Sequence, residues 1–401
     1  MDQTKNHTKP LWLFLAIMIA GIAARLLVAT CGHDYDMDSS QIIAKLADHG
    51  DNVYASTERY NFAPGWFYIL HALNILAGHN PEVFRYFVSG FLGLGDAGIC
   101  FILWRRFGKL AGCWFLLNPI SIIISGYQCN FDNLAILLGL VAALLMGDEF
   151  DKPLNRRKFW GLLVLGLSLV VKHVFFAFPF WLAVKQKGWR PKLAVIAIPV
   201  FVFALSFVPY WPGGRNGIID NVFLYRSHTT EFFYHMFLPQ FVQFMFGSMI
   251  VWLLIMAIFA FIYRKKSTIE SMLFYTCVLV ATSPADVNEY LAIPGAFVAT
   301  HLNPITILYT AAGTVHLLVA TNGPLGYPPF SVRAFGASYL QAVVNGLHLN
   351  SLFGLSLIDV AIYLLCFALV WMTWRENIMA WLKRSLEWCI FEVKNQLGFK
   401  K

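Results

Sequence analysis

Charged residues are scarce in this chain. They make up 13% of its 401 residues, while 58% are hydrophobic and 16% aromatic. Soluble globular domains carry about a quarter charged residues, so this composition excludes an ordinary soluble protein. Long polar stretches are lacking too, since none of those between the apolar segments could fold as an independent domain. A soluble domain with a single anchor is therefore excluded as well.

Paired cysteine motifs are also lacking. The seven cysteines are scattered without a Cys-x-x-Cys pair, which indicates neither a disulfide framework nor a zinc site. No repeat relates the two halves, which disfavours a transporter built from inverted repeats. The one glycosylation sequon, at residues 6–8, lies on the predicted inner side. We favour a bacterial cell membrane, with the endoplasmic reticulum membrane as the alternative.

Apolar sequence is abundant. Repeated stretches of roughly 17–25 apolar residues fit transmembrane helices, because about 20 helical residues cross the hydrocarbon core. By the positive-inside rule, clusters of Lys and Arg mark the cytoplasmic side. The net charge of +8 therefore reports topology and not nucleic-acid binding. These clusters hold 22 of the 30 basic residues and lie at 5–9, 105–109, 152–158, 185–192, 264–266 and 375–401.

The fold class predicted from this pattern is all-α, a polytopic membrane protein with about twelve spans and both termini inside. Residues 159–184 lie between two basic clusters. They form either one long helix, which would put the two basic clusters on opposite sides of the membrane, or two short helices that meet at Lys172 and His173. We favour the two short helices. The other predicted spans are 11–30, 83–105, 110–126, 128–147, 193–211, 238–263, 268–283, 288–302, 304–320 and 352–374.

The outer side of the predicted topology has three long segments. The first, 31–82, is expected to carry a helix at 39–49 and an interfacial or re-entrant helix at 64–77. Two further outer loops are predicted at 212–237 and 321–351.

A short acidic run, Asp34-Tyr35-Asp36-Met37-Asp38, directly follows the first apolar helix. Capping accounts for part of it, since Asp38 suits the N-cap of a helix that begins near Ser39. Capping explains Asp36 least well. Three carboxylates at the edge of a membrane bundle therefore suggest that the outer face carries chemistry.

Other polar residues share the predicted outer side with this run. Acids beside cations suit an acceptor hydroxyl next to an anionic leaving group, because an acid can take the proton while cations stabilise phosphate charge. Each of these residues also has a structural explanation that competes with a functional role. These are helix capping for Asp132, snorkelling for Lys172, packing for His173, a loop position for Arg215 and binding of lipid headgroups for Arg226. The candidate site residues are Asp36 as the catalytic residue, with Asp34, Gln128, Asp132, Lys172, His173, Arg215, Arg226, Asn288 and Glu289 as binding residues.

Several segments follow one another in a recognisable order. They are 36–50, 54–66, 85–105, 126–132, Lys172 with Pro179, and 283–294. They contain an acidic run before a glycine-terminated helix, a Tyr-Pro-Pro-like stretch, a Gly-Gln-x-Asp-like element, a Lys-x-Pro-like pair and a Ser-Pro…Glu-Tyr-Leu…Pro-like signature. This order resembles the GT-C superfamily of membrane glycosyltransferases over roughly residues 11–300. Two residues depart from the family's pattern: Ala63 replaces a proline, and Asn288 replaces a histidine.

The resemblance implies a hexosyltransferase that uses a polyprenyl-monophosphate sugar, with mannose preferred, and a lipid- or protein-linked acceptor. Asp36 would be the general base of an inverting transfer, and Lys172 and Arg226, together with His173 or Arg215, would bind phosphate. No cofactor is implied. A divalent ion held by Asp34, Asp36 and Asp132 is an alternative that this class of donor does not require.

The resemblance also divides the chain. Residues 1–300 would form the GT-C-like catalytic module, including outer loop 31–82. Residues 301–374 would add C-terminal membrane helices, and 375–401 a basic amphipathic cytoplasmic tail. Two other functions compete with a transferase: a transporter or lipid flippase, and a non-catalytic scaffold. A transporter should have polar residues spread through the bilayer midplane, where the sequence places only Arg25 and Asp96.

Overall fold

The computed structural model describes residues 9–148, 154–225, 240–283, 287–319, 351–352 and 355–375. Across these ranges the chain is almost entirely helical, which confirms the predicted all-α class. The exception is a two-residue antiparallel ladder of β1 (Ser351–Leu352) with β2 (Leu355–Ser356). The predicted loop 321–351 and basic tail fall almost wholly outside the described residues.

The helices follow one another with short connections. Up to residue 148 they are α1 (Lys9–Ala29), α2 (Tyr35–Asp48), α3 (Val53–Ser56), α4 (Gly65–Leu76), α5 (Pro81–Phe107), α6 (Lys109–Leu116), α7 (Pro119–Gly126) and α8 (Asp132–Met146). Between 154 and 225 they are α9 (Arg156–Val171), α10 (Phe178–Lys185), α11 (Trp189–Ser206) and α12 (Trp211–Gly217). Beyond 240 they are α13 (Gln240–Ile262), α14 (Thr268–Ala281), α15 (Gly295–Thr300), α16 (Pro304–Val319) and α17 (Leu357–Arg375).

Single turns of other helix types join some of these elements. Two are 3₁₀ turns that follow α9 and α11, at His173–Phe175 and Val208–Tyr210. A π-helical turn at Ile218–Phe223 follows α12, and a 3₁₀ turn at Asn288–Ala292 precedes α15.

Several helices are long and apolar enough to cross a bilayer, in agreement with a multi-pass membrane protein. By length and composition, four continuous stretches in the described part qualify, and a fifth does if α6 and α7, which meet at a 45° bend, count as one span. Other predicted crossings are shorter apolar helices, such as α8 and α14. The four are Trp12–Ala29, Pro81–Phe107, Trp189–Phe223 and Leu357–Arg375.

The segment between the basic clusters at 152–158 and 185–192 folds back on itself. The α-helix stops at Val171, and Lys172 is extended, with φ −152° and ψ 131°. Lys158 Nζ donates to Gln186 Oε1 at 2.6 Å, so the two ends of the segment lie together. A single helix would hold positions 158 and 186 about 42 Å apart. The favoured interpretation, two short helices that meet at Lys172, agrees with this contact.

Three element predictions need correction. The first outer helix begins at Tyr35, four residues before the predicted start, because the acidic run is itself helical. The predicted outer loop 212–237 is helical as far as Phe223. The predicted span 288–302 is a 3₁₀ turn and the six-residue α15, separated at Pro294, which has no N–H to continue the helix.

Two apolar cores organise the molecule. The larger lies inside the bundle and includes Phe115 and Tyr275. The second lies beneath the outer helices and includes Tyr54, Trp66 and Phe131. Trp66 of α4 stacks on Phe131, just before α8, with ring centroids 4.2 Å apart. Offset stacking of buried rings adds to the free energy of burial, so this contact fixes the outer helices over the bundle.

A close backbone approach joins the outer helices to α12. Asn52 Nδ2 donates to the carbonyls of Tyr210 at 2.9 Å and Pro212 at 3.1 Å. A Cβ on Gly217 would lie 1.9 Å from the Tyr54 carbonyl oxygen. Only glycine allows this contact, which holds α3 against α12.

The two midplane charges form a structural pair. Arg25 Nε donates to Asp96 Oδ2 at 2.7 Å, and both side chains are completely buried. Ser125 Oγ donates to the same carboxylate oxygen at 2.7 Å, and Arg25 Nη2 donates to Ser121 Oγ at 2.8 Å. The pair therefore joins α1, α5 and α7.

Candidate functional site

The acidic run forms the N-terminus of α2. Asp34 is the N-cap: its Oδ1 accepts a hydrogen bond from the Asp36 backbone N–H at 3.1 Å. This corrects the prediction that Asp38 caps the helix. Asp38 lies inside the first turn and accepts from His33 Nε2 at 2.9 Å. Capping therefore accounts for Asp34, and the His33 contact for Asp38.

Asp36 neither caps α2 nor contacts His33. Its side chain is exposed on the first turn of α2. Its Oδ2 accepts a hydrogen bond from Asn130 Nδ2 at 3.4 Å. Partial burial of its inner side raises the pKa of Asp36, while the Lys172 charge opposes the rise and the Asp132 charge adds to it. A raised pKa makes a carboxylate a stronger base, and exposure lets a substrate reach it.

The loop between α7 and α8 brings Asn130 to this carboxylate. Cys129 has a left-handed backbone, with φ 54°, which is uncommon outside glycine and turns the chain sharply. Asn130 is buried, and its neighbour Phe131 packs on Trp66. The predicted element at 126–132 is therefore a tight turn that leads into α8, which begins at Asp132.

Lys172 connects this loop to the break after α9. Its Nζ donates to Asp132 Oδ2 at 2.6 Å and to Asn130 Oδ1 at 2.8 Å. The ammonium also lies 5.0 Å from the ring centroid of Phe62 and 4.9 Å from that of Phe131. Lys172 and Asp132 are both buried, so this is an ion pair with little solvent screening. Snorkelling to the interface does not describe Lys172.

Glu289 faces the same cluster from the 3₁₀ turn at Asn288–Ala292. Burial raises the pKa of Glu289 to about 7, against the effect of Lys172 and with added repulsion from Asp36 and Asp132. Burial likewise raises the pKa of Asp34, with repulsion from Asp36 and Glu289. Carboxylates from three separate parts of the chain therefore lie close enough to Lys172 and to one another to interact electrostatically. Such raised pKa values concentrate at functional sites.

His173 lies beside the cluster but is not a cation at neutral pH. Burial and the adjacent Lys172 charge lower the pKa of His173 to about 4. Its ring centroid is 6.0 Å from that of Phe62. Within the described ranges its Nδ1 has no hydrogen-bond partner. Any contact of His173 with phosphate would therefore be a hydrogen bond without positive charge.

The other predicted binding residues have different surroundings. Gln128 is buried in the loop that carries Asn130. Asn288 Oδ1 lies 2.8 Å from His316 Nε2 of α16. Arg215 is exposed on α12, with its guanidinium 5.9 Å from the Trp211 ring centroid. Arg226 lies outside the described residues. The structure thus groups Asp34, Asp36, Asp132, Lys172 and Glu289 as the candidate site.

Sequence reasoning gave Asn130 no role. Its position in the same short loop as Gln128 and Asp132 was the available signal. The contact between Arg85 and His33 also had no assigned role: Arg85 Nη1 lies 3.1 Å from His33 Nδ1.

A preformed metal site is not evident in the described ranges, where no three His, Cys, Asp or Glu side chains are grouped to hold an ion.

Comparison with known proteins finds little. No protein-family model matches the chain, and no curated protein sequence matches it. The chain is similar to the apo-state crystal structure of ArnT from Cupriavidus metallidurans. The TM-score is 0.49 and the identity 14%, over 90% of this chain and 76% of that chain. At this identity and score, the likeness identifies neither an activity nor a substrate for this chain.

Proposed function

We propose that this protein is a GT-C-type membrane glycosyltransferase, which transfers a sugar from a polyprenyl-monophosphate donor to an acceptor hydroxyl at the outer face. The observation that carries the proposal is the setting of Asp36. It is an exposed carboxylate with a raised pKa, joined through Asn130 to the buried Lys172–Asp132 pair. A carboxylate base beside a cation would suit an acceptor hydroxyl next to an anionic leaving group.

The proposed reaction inverts the anomeric carbon. The acceptor oxygen attacks that carbon as its proton passes to Asp36. The bond from the anomeric carbon to the phosphate oxygen breaks, and its electron pair leaves with the polyprenyl phosphate. No general acid is required, because a phosphate monoester leaves as an anion once cations stabilise its charge. Asp36 is the catalytic residue, and Lys172 is the candidate cation of the described part of the site.

The remaining assignments extend this core. Asp34, Gln128, Asp132, His173, Arg215, Arg226, Asn288 and Glu289 are proposed as binding residues. Mannose is the preferred sugar, and a lipid- or protein-linked molecule the acceptor. The donor would enter from the bilayer of a bacterial cell membrane. Membrane lipids are therefore partners, and nucleic acid is not.

The Arg25–Asp96 pair supports a transferase over a transporter or flippase. A translocation path needs polar groups that a substrate can reach near the midplane. These two side chains are fully buried and bonded to each other. By the positive-inside rule, the accessible polar groups of the cluster would instead face the outer side.

The test uses purified protein in liposomes with a panel of radiolabelled polyprenyl-phosphate sugars and co-extracted lipid acceptors. We expect wild type to turn over one donor, and Asp36→Asn to lose turnover while it still binds that donor. Asp51→Asn is the matched control, because Asp51 is an exposed carboxylate that follows the opposite end of α2 from Asp36. Full activity in Asp36→Asn would refute the assignment of the base. Absence of binding and turnover across the panel would refute the transferase and favour transport.

A further inference from the structure

The orientation of the Asn130 amide is decided by Lys172. An ammonium group has only donors, so the Asn130 atom 2.8 Å from Lys172 Nζ must be the carbonyl oxygen. The amide nitrogen then faces Asp36, with Nδ2 3.4 Å from Oδ2. Asn130 is buried, so water could not satisfy its polar atoms if the amide were flipped.

The other end of this chain of contacts is equally fixed. Lys172 Nζ is held by Asp132 Oδ2 at 2.6 Å, and Asp132 is the first residue of α8 and fully buried. The order Asp132–Lys172–Asn130–Asp36 therefore runs from a buried anion to an exposed carboxylate. The last contact is the longest of the three, as is common for functional hydrogen bonds before substrate binds.

We propose that Asn130 is a positioning residue for the base: its amide orients the Asp36 carboxylate and favours the charged form. The inference rests on the proposed role of Asp36. A donor to a carboxylate stabilises the ionised state, so it counteracts groups that disfavour the charge.

Several such groups face Asp36 from the elements around it. Asp34 lies two residues away on α2, Asp132 begins α8, and Glu289 lies on the 3₁₀ turn before α15. The Tyr225 hydroxyl also interacts with Asp36 and Glu289. Among the described residues around Asp36, the groups that favour its charged form are the Lys172 ammonium and the Asn130 amide. Without the amide, burial and repulsion from the neighbouring carboxylates would disfavour the charged form of Asp36 more strongly.

Two variants separate the amide donor from the rest of the site. Asn130→Asp keeps an acceptor for Lys172 but places a carboxylate in front of Asp36. Asn130→Ala removes both contacts. Asn133→Ala is the matched control, since Asn133 is a buried asparagine nearby whose Nδ2 donates to Ser121 Oγ at 3.3 Å.

The first readout is the pH profile of sugar transfer. For Asn130→Ala we expect the acid limb to move up by about 0.5–1 pH unit, because a hydrogen bond as long as 3.4 Å has a smaller effect than a short one to an ionised group. On that limb kcat should fall about 3–10-fold, while KM for the donor stays unchanged. Asn130→Asp should move the limb further. A merely structural role would lower activity at every pH without moving the limb, and would overturn the inference.

The second readout needs no substrate. Infrared difference titration reports the carbonyl stretch of a protonated carboxyl group, and subtraction of the Asp36→Asn spectra assigns the Asp36 band. We expect its midpoint to rise in both Asn130 variants and to stay unchanged in Asn133→Ala. An unchanged midpoint in Asn130→Asp would overturn the inference, even if Asn130→Ala fails to fold. Failure of wild type to transfer any sugar would count against the proposed function alone, since the infrared midpoint still decides the role of Asn130.

Discussion

The buried pair of Lys172 and Asp132 makes the sharpest prediction about stability. Lys172→Met keeps the length and much of the volume of the side chain but removes its charge. Asp132 is then left as a buried anion without its 2.6 Å partner, and its other oxygen already has no hydrogen-bond partner among the described residues. Breaking one side of a buried ion pair costs about 3–5 kcal/mol, so the free energy of unfolding should fall by that amount.

The double variant Lys172→Met/Asp132→Leu should be far less destabilised than the sum of its single variants. Replacing both charges by apolar groups of similar volume is often close to neutral. We therefore expect a coupling energy of about 2–3 kcal/mol between the two positions. Titration of the detergent-solubilised protein with a denaturing detergent, followed by tryptophan fluorescence, measures the four unfolding free energies of the cycle.

Lys192→Met is the control, because Lys192 is exposed on α11. Its effect should stay within about 0.5 kcal/mol, as for most surface substitutions. Strictly additive single effects, or a loss below about 1 kcal/mol for Lys172→Met, would refute the reasoning.

Two further predictions concern packing and pH. Gly217→Ala should lower the free energy of unfolding by about 2–4 kcal/mol, because its Cβ would overlap the Tyr54 carbonyl oxygen. Gly90→Ala is the control and should be tolerated, since its Cβ would meet only Leu26, at 3.8 Å. Equal unfolding midpoints for the two variants would contradict the close approach of Gly217 to Tyr54. The raised pKa of Glu289, about 7 against an ordinary 4.5, means that the folded state holds its proton more tightly than the unfolded state. Stability should therefore fall as pH rises from about 4.5 to about 7, by up to about 3 kcal/mol, and Glu289→Gln should flatten this slope in unfolding curves measured across that range. An unaltered slope would show that Glu289 is not buried near the other acids.

The sequence went furthest where local composition carries the information. Apolar runs and clusters of Lys and Arg predict helices and their sides, since burial in lipid and the positive-inside rule act on neighbouring residues. The hairpin that turns at Lys172 was favoured for that reason and agrees with the contact of Lys158 with Gln186. Helix boundaries were less predictable: the acidic run looked like a cap before Ser39, but the helix already begins at Tyr35.

The contacts that define the candidate site were beyond local reasoning. Asn130 and Asp36 are 94 positions apart, and Lys172 and Asn130 are 42 apart. The periodicity of the sequence does not predict which buried polar groups of different helices contact one another. The sequence by itself determined a helical membrane protein with an acidic outer face. The tertiary structure decided which acid caps α2, which charges pair in the bundle and which carboxylate stays exposed beside Lys172, because each depends on packing between helices distant along the chain.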